Sequence, residues 1–402
     1  MSTNTLAIDI RRLSRVVPRN RNIEIALLAF AFGINAFELA QIQLSTIEIL
    51  TWDIVLYWLP LTLGALLIHL VLRLRASEAD GLMLPAVVLL NGLGLAEIYR
   101  LDLAKLANGA TDLFAVKQVI WTCVAMAVAA AVILFVPSHL FLRRYVYISM
   151  AIGLLLLISP MLPLLGKTIN GAHLWIGIGS LTFQPGELAK IALTIFFAGY
   201  LVTRRDSLAV VGRRFLGVQL PRGRELGPIL AIWALSLLVL VGERDLGTSL
   251  LYFGLFLVMI YVATGRAIYV VVGMGLFVSS ALVAAKLMSY VSGRVDAWLN
   301  PFDSAHYDAI GGSYQLVQGI FGLSHGNVLG AGLGGGVPQL VPLAESGYII
   351  AALGEEVGLV GLFAILMIYI LIITRGVRIA FAHSHDFSKL LAIGLSFVIA
   401  LQ

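Results

Sequence analysis

Residues 359–373 read LVGLFAILMIYILII, a run with no charged side chain. Read back to Ser346, the span 346–373 exceeds the roughly 20 mostly apolar residues that a helix needs to cross a bilayer. Segments of the same kind recur along the 402-residue chain, at about 23–45, 53–74, 82–99, 115–136, 145–166, 186–203, 228–242, 246–264 and 268–290. A last one begins near Ser388 and reaches Gln402, which makes about 11 transmembrane helices. The pair 228–242 and 246–264 is joined by a tight turn and also reads as a single hairpin.

Composition points the same way. Hydrophobic residues make up 60% of the chain and charged residues only 12%, against about 25% charged in an ordinary soluble domain. So little polar surface cannot cover a soluble globule of this size. The 40 glycines follow no Gly-X-Y period, which excludes collagen, and the apolar content excludes disorder. The fold class that remains is all-α, a polytopic membrane helix bundle in which small residues let helices approach closely.

The single cysteine, Cys123, lies in an apolar run, and no Cys/His cluster has zinc-ligand spacing. No phosphate loop, nucleotide fingerprint or Ser-His-Asp arrangement is present, so neither a water-soluble nucleotide nor nucleic acid is expected as a partner.

Orientation follows from the basic residues. With a cytoplasmic N-terminus, 19 of the 27 Lys and Arg fall inside, 6 outside and 2 (Lys190 and Lys286) within helices. Residues 1–22 are basic and polar, and the full-length helix after them lacks an A-x-A-like cleavage site. It reads as a first span and not as a signal peptide. The expected organisation is a cytoplasmic N-terminus (1–22), a helix pair (23–81) and a membrane core (82–402) that carries a large outer loop (291–345). Trp298, Tyr307, Tyr314 and Phe321 make that loop too aromatic for a disordered spacer.

Charges at membrane depth cost about 2.5–3.5 kcal/mol each at a helix centre, so their positions are informative. Glu187 and Lys190, at i and i+3, share one helix face. They read either as an interfacial ion pair or as the polar wall of an outward-facing cavity. Asp245, in the turn Glu243-Arg244-Asp245-Leu246-Gly247-Thr248-Ser249, reads as a helix N-cap or as a functional acid. Glu355 and Glu356 lie well inside a span, and adjacent helical residues point about 100° apart. At least one of them must face a cavity or a partner group. The outer loop adds Arg294, Asp296, Asp303, His306 and Asp308, then Gln315 and Gln318 on one helix face. A carboxylate there reads as a general base or as part of a solvated surface.

Four segments together resemble the SEDS family (shape, elongation, division and sporulation) of RodA- and FtsW-like proteins. Asn170-Gly171-Ala172, Trp175-Ile176 and Phe183-Gln184-Pro185 with Glu187 and Lys190 look like the GA-x-x-W-I…F-Q-P-S-E-x-A-K signature. Asp245-Leu246-Gly247-Thr248-Ser249 is similar to the D-L-G-T-S turn. Arg294, Asn300-Pro301, Asp308, Gly311, Tyr314-Gln315 and Gln318 resemble the R…N-P…D-P-x-G-x-G-Y-Q-x-x-Q-S loop, and Glu355-Glu356 with Gly358 resembles E-E-x-G. The resemblance covers roughly 82–402, with two extra N-terminal helices before a ten-helix core. Asn91-Gly92-Leu93-Gly94 with Tyr99-Arg100-Leu101-Asp102 looks like actinobacterial-type members.

The resemblance implies a peptidoglycan glycosyltransferase that polymerises lipid II at the outer face of the cytoplasmic membrane, for elongation or division. It implies Asp308 as the catalytic base and Arg294, Lys190, Glu187, Trp175, Gln315, Gln318, Asp245 and Glu355 as substrate-binding residues. Asp303 is the competing aspartate. Only Asp308 keeps the family's spacing to the Tyr314-Gln315 element, so Asp303 to Tyr307 reads as an insertion. The implied partners are lipid II, membrane lipids and a class B penicillin-binding protein that acts as transpeptidase. No residue cluster specifies a metal, though a divalent cation, Mg or Mn, beside a diphosphate suits the chemistry.

The chain departs from the family pattern at Gly186, His173-Leu174, Glu243-Arg244 and Gly347, the last where the family carries an acid. The resemblance also implies a last hairpin beyond Gln402, so the sequence reads as C-terminally truncated, and only a protein that truly ended there is expected to be unstable or inactive. The other functions considered are a lipid II flippase and a non-enzymatic scaffold for the transpeptidase.

Overall fold

A computed structural model describes residues 19–109, 113–163, 165–169, 172–178, 181–209, 245–308 and 312–402, with residue 111 and scattered residues within 210–244. Among these, nine helices are long and apolar enough to cross a bilayer, so the chain forms the expected all-α, multi-pass architecture. A helix satisfies its own backbone polar groups, which lipid cannot do. The expected span at 228–242 falls largely outside the described residues, as do Asn170, Gly171, Glu243, Arg244, Gly311 and residues 1–18.

Helices α1 (Arg19–Thr46), α2 (Asp53–Arg75), α3 (Met83–Ala107) and α4 (Phe114–Phe135) open the chain. A 3-10 segment, His139–Tyr145, leads into α5 (Val146–Ile158). A three-stranded antiparallel sheet follows, with β1 (Gly166–Ile169), β2 (Ala172–Ile178) and β3 (Leu181–Phe183). Next come α6 (Pro185–Ala209), α7 (Leu246–Thr264) and α8 (Ala267–Leu287). The outer loop carries α9 (Ser289–Leu299), α10 (Ser304–Tyr307) and α11 (Tyr314–Gly326). The described chain closes with α12 (Ile349–Ala382) and α13 (Asp386–Leu401).

The described residues divide into two compact units, 19–136 with 319–365 and 137–318 with 366–402. In the first, α1 lies along α3 and α2 along α4. Leu28, Ala31 and Phe32 of α1 meet Leu61, Ala65 and Val88. Further along, Leu39 and Ile42 meet Tyr57, Leu95, Ala96 and Tyr99. Gly92 is what lets α1 and α3 close, because a Cβ there would fall 2.0 Å from Nδ2 of Asn35. Asp102 accepts from the backbone N–H groups of Phe114 at 3.1 Å and Ala115 at 2.7 Å, which satisfies the start of α4.

The span expected as one helix at 346–373 is broken. Gly358 sits at φ 67° and ψ −173° inside α12, a conformation open essentially to glycine alone. In an unbroken helix the carbonyls of Glu355 and Glu356 would accept from Leu359 and Val360. Here they accept instead from the N–H groups of Ala331 at 2.9 Å and Gly332 at 3.0 Å. Leu359 and Val360 donate to the carbonyls of Asn327 and Val328, both at 3.1 Å. The 327–332 segment therefore takes up all four backbone groups that the break releases, as an interruption in an apolar helix requires.

In the second unit α6 packs against α5, α7 and α13. Phe197, Leu201, Tyr252 and Phe256 form the buried centre, with Phe387, Leu390 and Leu391 supplied by α13. The sheet pairs Lys167 with Trp175 and Ile176 with Phe183. Its strands carry Ala172, Trp175, Ile176 and Phe183 of the first segment of the family resemblance.

Candidate outer-face site and buried polar network

In the second unit, Pro185 opens α6 at a position where its missing N–H costs nothing. Glu187 in the first turn complements the positive end of the helix. Lys190, 4% exposed, donates from Nζ to Glu187 Oε1 at 2.8 Å. The Glu187 side chain is half exposed at 47%. The pair forms as its spacing requires, with the ammonium sunk and the carboxylate at the surface. Tyr252 ties α7 to the same helix start by donating to the Gly186 carbonyl at 3.0 Å. Trp175 is half-buried on β2.

Asp245 caps α7, accepting from the N–H groups of Gly247 at 2.8 Å and Thr248 at 3.3 Å, and from the Thr248 hydroxyl. The N-cap reading of its sequence position is thus the geometry found.

The outer loop treats its two aspartates differently. Asp303 caps the short α10, with Oδ1 accepting from Ala305 N–H at 3.0 Å. Asp308 follows that helix and is exposed, and its carboxylate has no hydrogen bond or ion pair among the described residues. Ser313 folds the loop back, its N–H donating to the His306 carbonyl at 3.1 Å and its hydroxyl to the Pro301 carbonyl at 2.6 Å. Gln318 Nε2 donates to the Tyr307 hydroxyl at 3.2 Å, and Tyr307 meets Tyr314 edge to face at 5.2 Å. Gln315 is half-buried one turn before Gln318, and Arg294 on α9 is exposed. Among the described residues, no hydrogen bond or ion pair joins Trp175, Asp245, Arg294 or Asp308 to Lys190 or to one another.

Glu355 belongs to the first unit and is 1% exposed, as is Glu356. Glu355 Oε1 meets Nδ1 of His325 at 2.8 Å and accepts from Val337 N–H at 2.9 Å. Glu356 accepts from Arg100 Nε at 3.1 Å and from Gly334 N–H at 2.9 Å, and Arg100 Nη2 donates to the Gly336 carbonyl at 2.8 Å. Both glutamates face partner groups, which exceeds the minimum that their helical spacing demanded. They fasten the 327–337 segment to α12. Beside it, Lys105 pairs with Glu345 at 2.9 Å, and burial pushes the Tyr348 phenol above its ordinary range.

The sequence reading passed over Glu38 of α1 and Glu97 of α3, which are 2% and 1% exposed. The signal for them was single acids inside apolar helices. Among the described residues, no three His, Cys, Asp or Glu side chains are grouped to hold a metal ion.

The chain's similarities to known proteins agree with these segments. The family described as cell cycle protein FtsW, RodA and SpoVE matches residues 81–402. "Peptidoglycan glycosyltransferase RodA" of Mycobacterium tuberculosis is 44% identical over 388 residues, 96% of this chain and 82% of that protein. The protein of the same name from Mycobacterium leprae is 41% identical over 387 residues, again 96% of this chain and 82% of that one. "Stage V sporulation protein E" of Bacillus subtilis is 28% identical over 334 residues, 82% of this chain and 86% of that one. The mycobacterial matches take in helices before residue 81, in keeping with the actinobacterial type.

Proposed function

The chain belongs to the FtsW, RodA and SpoVE family of cell cycle proteins, and on that footing we propose that it is a peptidoglycan glycosyltransferase polymerising lipid II at the outer face of the cytoplasmic membrane. The observation that carries this reading is 44% identity, over 96% of the chain, to a relative named for that activity. A match of that extent takes in the membrane helices and the outer loop together.

In the proposed reaction Asp308 removes the proton from the 4-hydroxyl of an acceptor GlcNAc. That oxygen forms a bond to the anomeric carbon of the donor MurNAc as the bond to undecaprenyl diphosphate breaks. The leaving diphosphate takes the electron pair, and cations must stabilise it. Lys190 and Arg294 are assigned that role. Both aspartates are exposed, and what favours Asp308 over Asp303 is engagement: the Asp303 carboxylate caps α10, whereas the Asp308 carboxylate has no hydrogen bond or ion pair among the described residues. Trp175, Glu187, Gln315, Gln318 and Asp245 are assigned to holding the substrate in the second unit, Asp245 through the backbone it caps. Glu355 is assigned a substrate-binding role through the 327–337 segment that it fastens in the first unit. A divalent cation, Mg or Mn, suits the diphosphate, and no residue here is assigned to hold it.

The cytoplasmic N-terminus rests on the distribution of Lys and Arg. The proposed partner, a class B penicillin-binding transpeptidase, rests on the family resemblance, since new glycan strands must be crosslinked.

The test is reconstitution of the chain in liposomes with labelled lipid II. Glycan strands resolved on a gel support the reading. Lipid II that crosses the bilayer unpolymerised gives the flippase in its place, and neither outcome leaves the scaffold.

A further inference from the structure

The proposed reaction makes no use of the acids that α1 and α3 bury against each other in the first unit. Glu38 is 2% exposed and Glu97 1%. All four of their carboxylate oxygens are buried without a hydrogen-bond partner, and so is Oδ1 of Asn35, one helical turn before Glu38. Two ties hold α1 and α3 together on either side of these groups. Asn35 Nδ2 donates to the Val88 carbonyl at 3.3 Å, and Gln43 Nε2 donates to the Tyr99 hydroxyl at 2.7 Å. Glu38 and Glu97 lie between the ties along their respective helices.

The charged groups that face them add to the difficulty. Glu38 faces Glu97 and also Glu356 of α12, and Glu97 faces Glu356, Glu355 and Arg100. Arg100 is the cation among these, and it is already engaged by Glu356 and the Gly336 carbonyl. Four carboxylates therefore share one guanidinium, with His325 at Glu355. A buried carboxylate left without donor or counter-charge is strongly disfavoured, and acids inside membrane helices mark ion or proton sites by default. Five unpartnered oxygens with no nitrogen or sulfur among them are a donor set for a hard cation.

We propose that Glu38, Glu97 and Asn35 bind one small hard cation, a proton or a sodium ion, between α1 and α3. The bound charge lies between the two carboxylates and locks the helix pair. Glu38 precedes the residues 81–402 that the family shares, so the site belongs to chains that carry the N-terminal helix pair. It does not depend on the proposed transferase reaction.

The test uses the whole chain in nanodiscs, as wild type, Glu38→Gln, Glu97→Gln and the double variant, with the exposed Glu78→Gln as control. Glutamine keeps the shape and removes the charge, so the double variant buries no carboxylate at these positions and needs no ion to fold. Two titrations read the unfolding midpoint. One varies sodium against choline at fixed ionic strength, and the other varies pH at fixed sodium. Radioactive sodium binding and the infrared band of protonated carboxyls are measured alongside.

Saturable sodium binding that raises the midpoint, weakened at least tenfold in each single variant and absent in the double, identifies sodium. A protonated carboxyl band at neutral pH that either single variant diminishes, with a midpoint rising as pH falls in wild type alone, identifies the proton. A double variant with the sodium and pH responses of wild type overturns the proposal. So does a wild type with neither sodium binding nor a protonated carboxyl band, and that result requires no variant to fold.

Discussion

Arg100 and Glu356 stand 256 positions apart in the chain and meet at 3.1 Å, with their side chains 6% and 0% exposed. Each also holds the 327–337 segment, Glu356 through Gly334 N–H and Arg100 through the Gly336 carbonyl. Removing one partner of a buried ion pair costs about 3–5 kcal/mol, because the other charge stays buried alone. Arg100→Ala is expected to lose that much stability, and Arg100→Lys is expected to recover only part, since an ammonium lacks the guanidinium fork. Unfolding of the chain in nanodiscs measures both. An Arg100→Ala variant as stable as wild type would show that the pair does not fasten the segment.

Gly358 gives a second prediction. A Cβ there would lie 2.2 Å from the backbone nitrogen of Gly330 and 2.6 Å from the carbonyl carbon of Leu329. Gly358→Ala adds this clash to a backbone strain of about 1–3 kcal/mol. The expected result is release of the 327–332 segment, seen as faster amide exchange at Ala331 and Gly332, which otherwise donate to the helix. Unchanged exchange at those two amides would contradict it.

Lys190 separates chemistry from stability. Its buried ammonium pairs with a half-exposed carboxylate that water can solvate once the pair is broken. Lys190→Met is expected to change stability by no more than about 1 kcal/mol, as for other pairs open to solvent. Polymerisation is expected to fall at least tenfold. Full polymerisation by Lys190→Met would remove Lys190 from the diphosphate site.

At Asp245 the cap and the charge can be read apart. Asp245→Ala loses the cap and is expected to cost about 0.5–2 kcal/mol, whereas Asp245→Asn keeps an N-capping side chain and costs less. Thermal unfolding of the two variants checks the order. Polymerisation lost in Asp245→Asn at near-normal stability would assign the charge a role at the substrate.

Much of this was legible in the sequence, for identifiable reasons. Span-length apolar runs declare themselves, and Glu187 with Lys190 is a local i, i+3 pair whose contact the helix dictates. Partners distant in the chain were not legible. Nothing in the run 346–373 marks Gly358 as a break, because the four backbone groups it releases are met by residues 327–332. The Arg100–Glu356 pair and the facing of Glu38 and Glu97 likewise exist only once α1, α3 and α12 have assembled. The sheet at 166–183 was missed because its strands are short, and the Trp175–Lys167 register is set by hairpin pairing and not by hydropathy. For the outer loop, aromatic content announced order but not the three helices within it.

The central claim is that this chain polymerises lipid II with Asp308 as base. The measurement that tests it most directly is glycan polymerisation by wild type, Asp308→Asn and Asp303→Asn, each verified as folded by its unfolding midpoint. Asparagine at 303 can still cap α10, so the loop is expected to keep its form. The account predicts strands from wild type and Asp303→Asn, and none from Asp308→Asn. Strands from folded Asp308→Asn at the wild-type rate would contradict it.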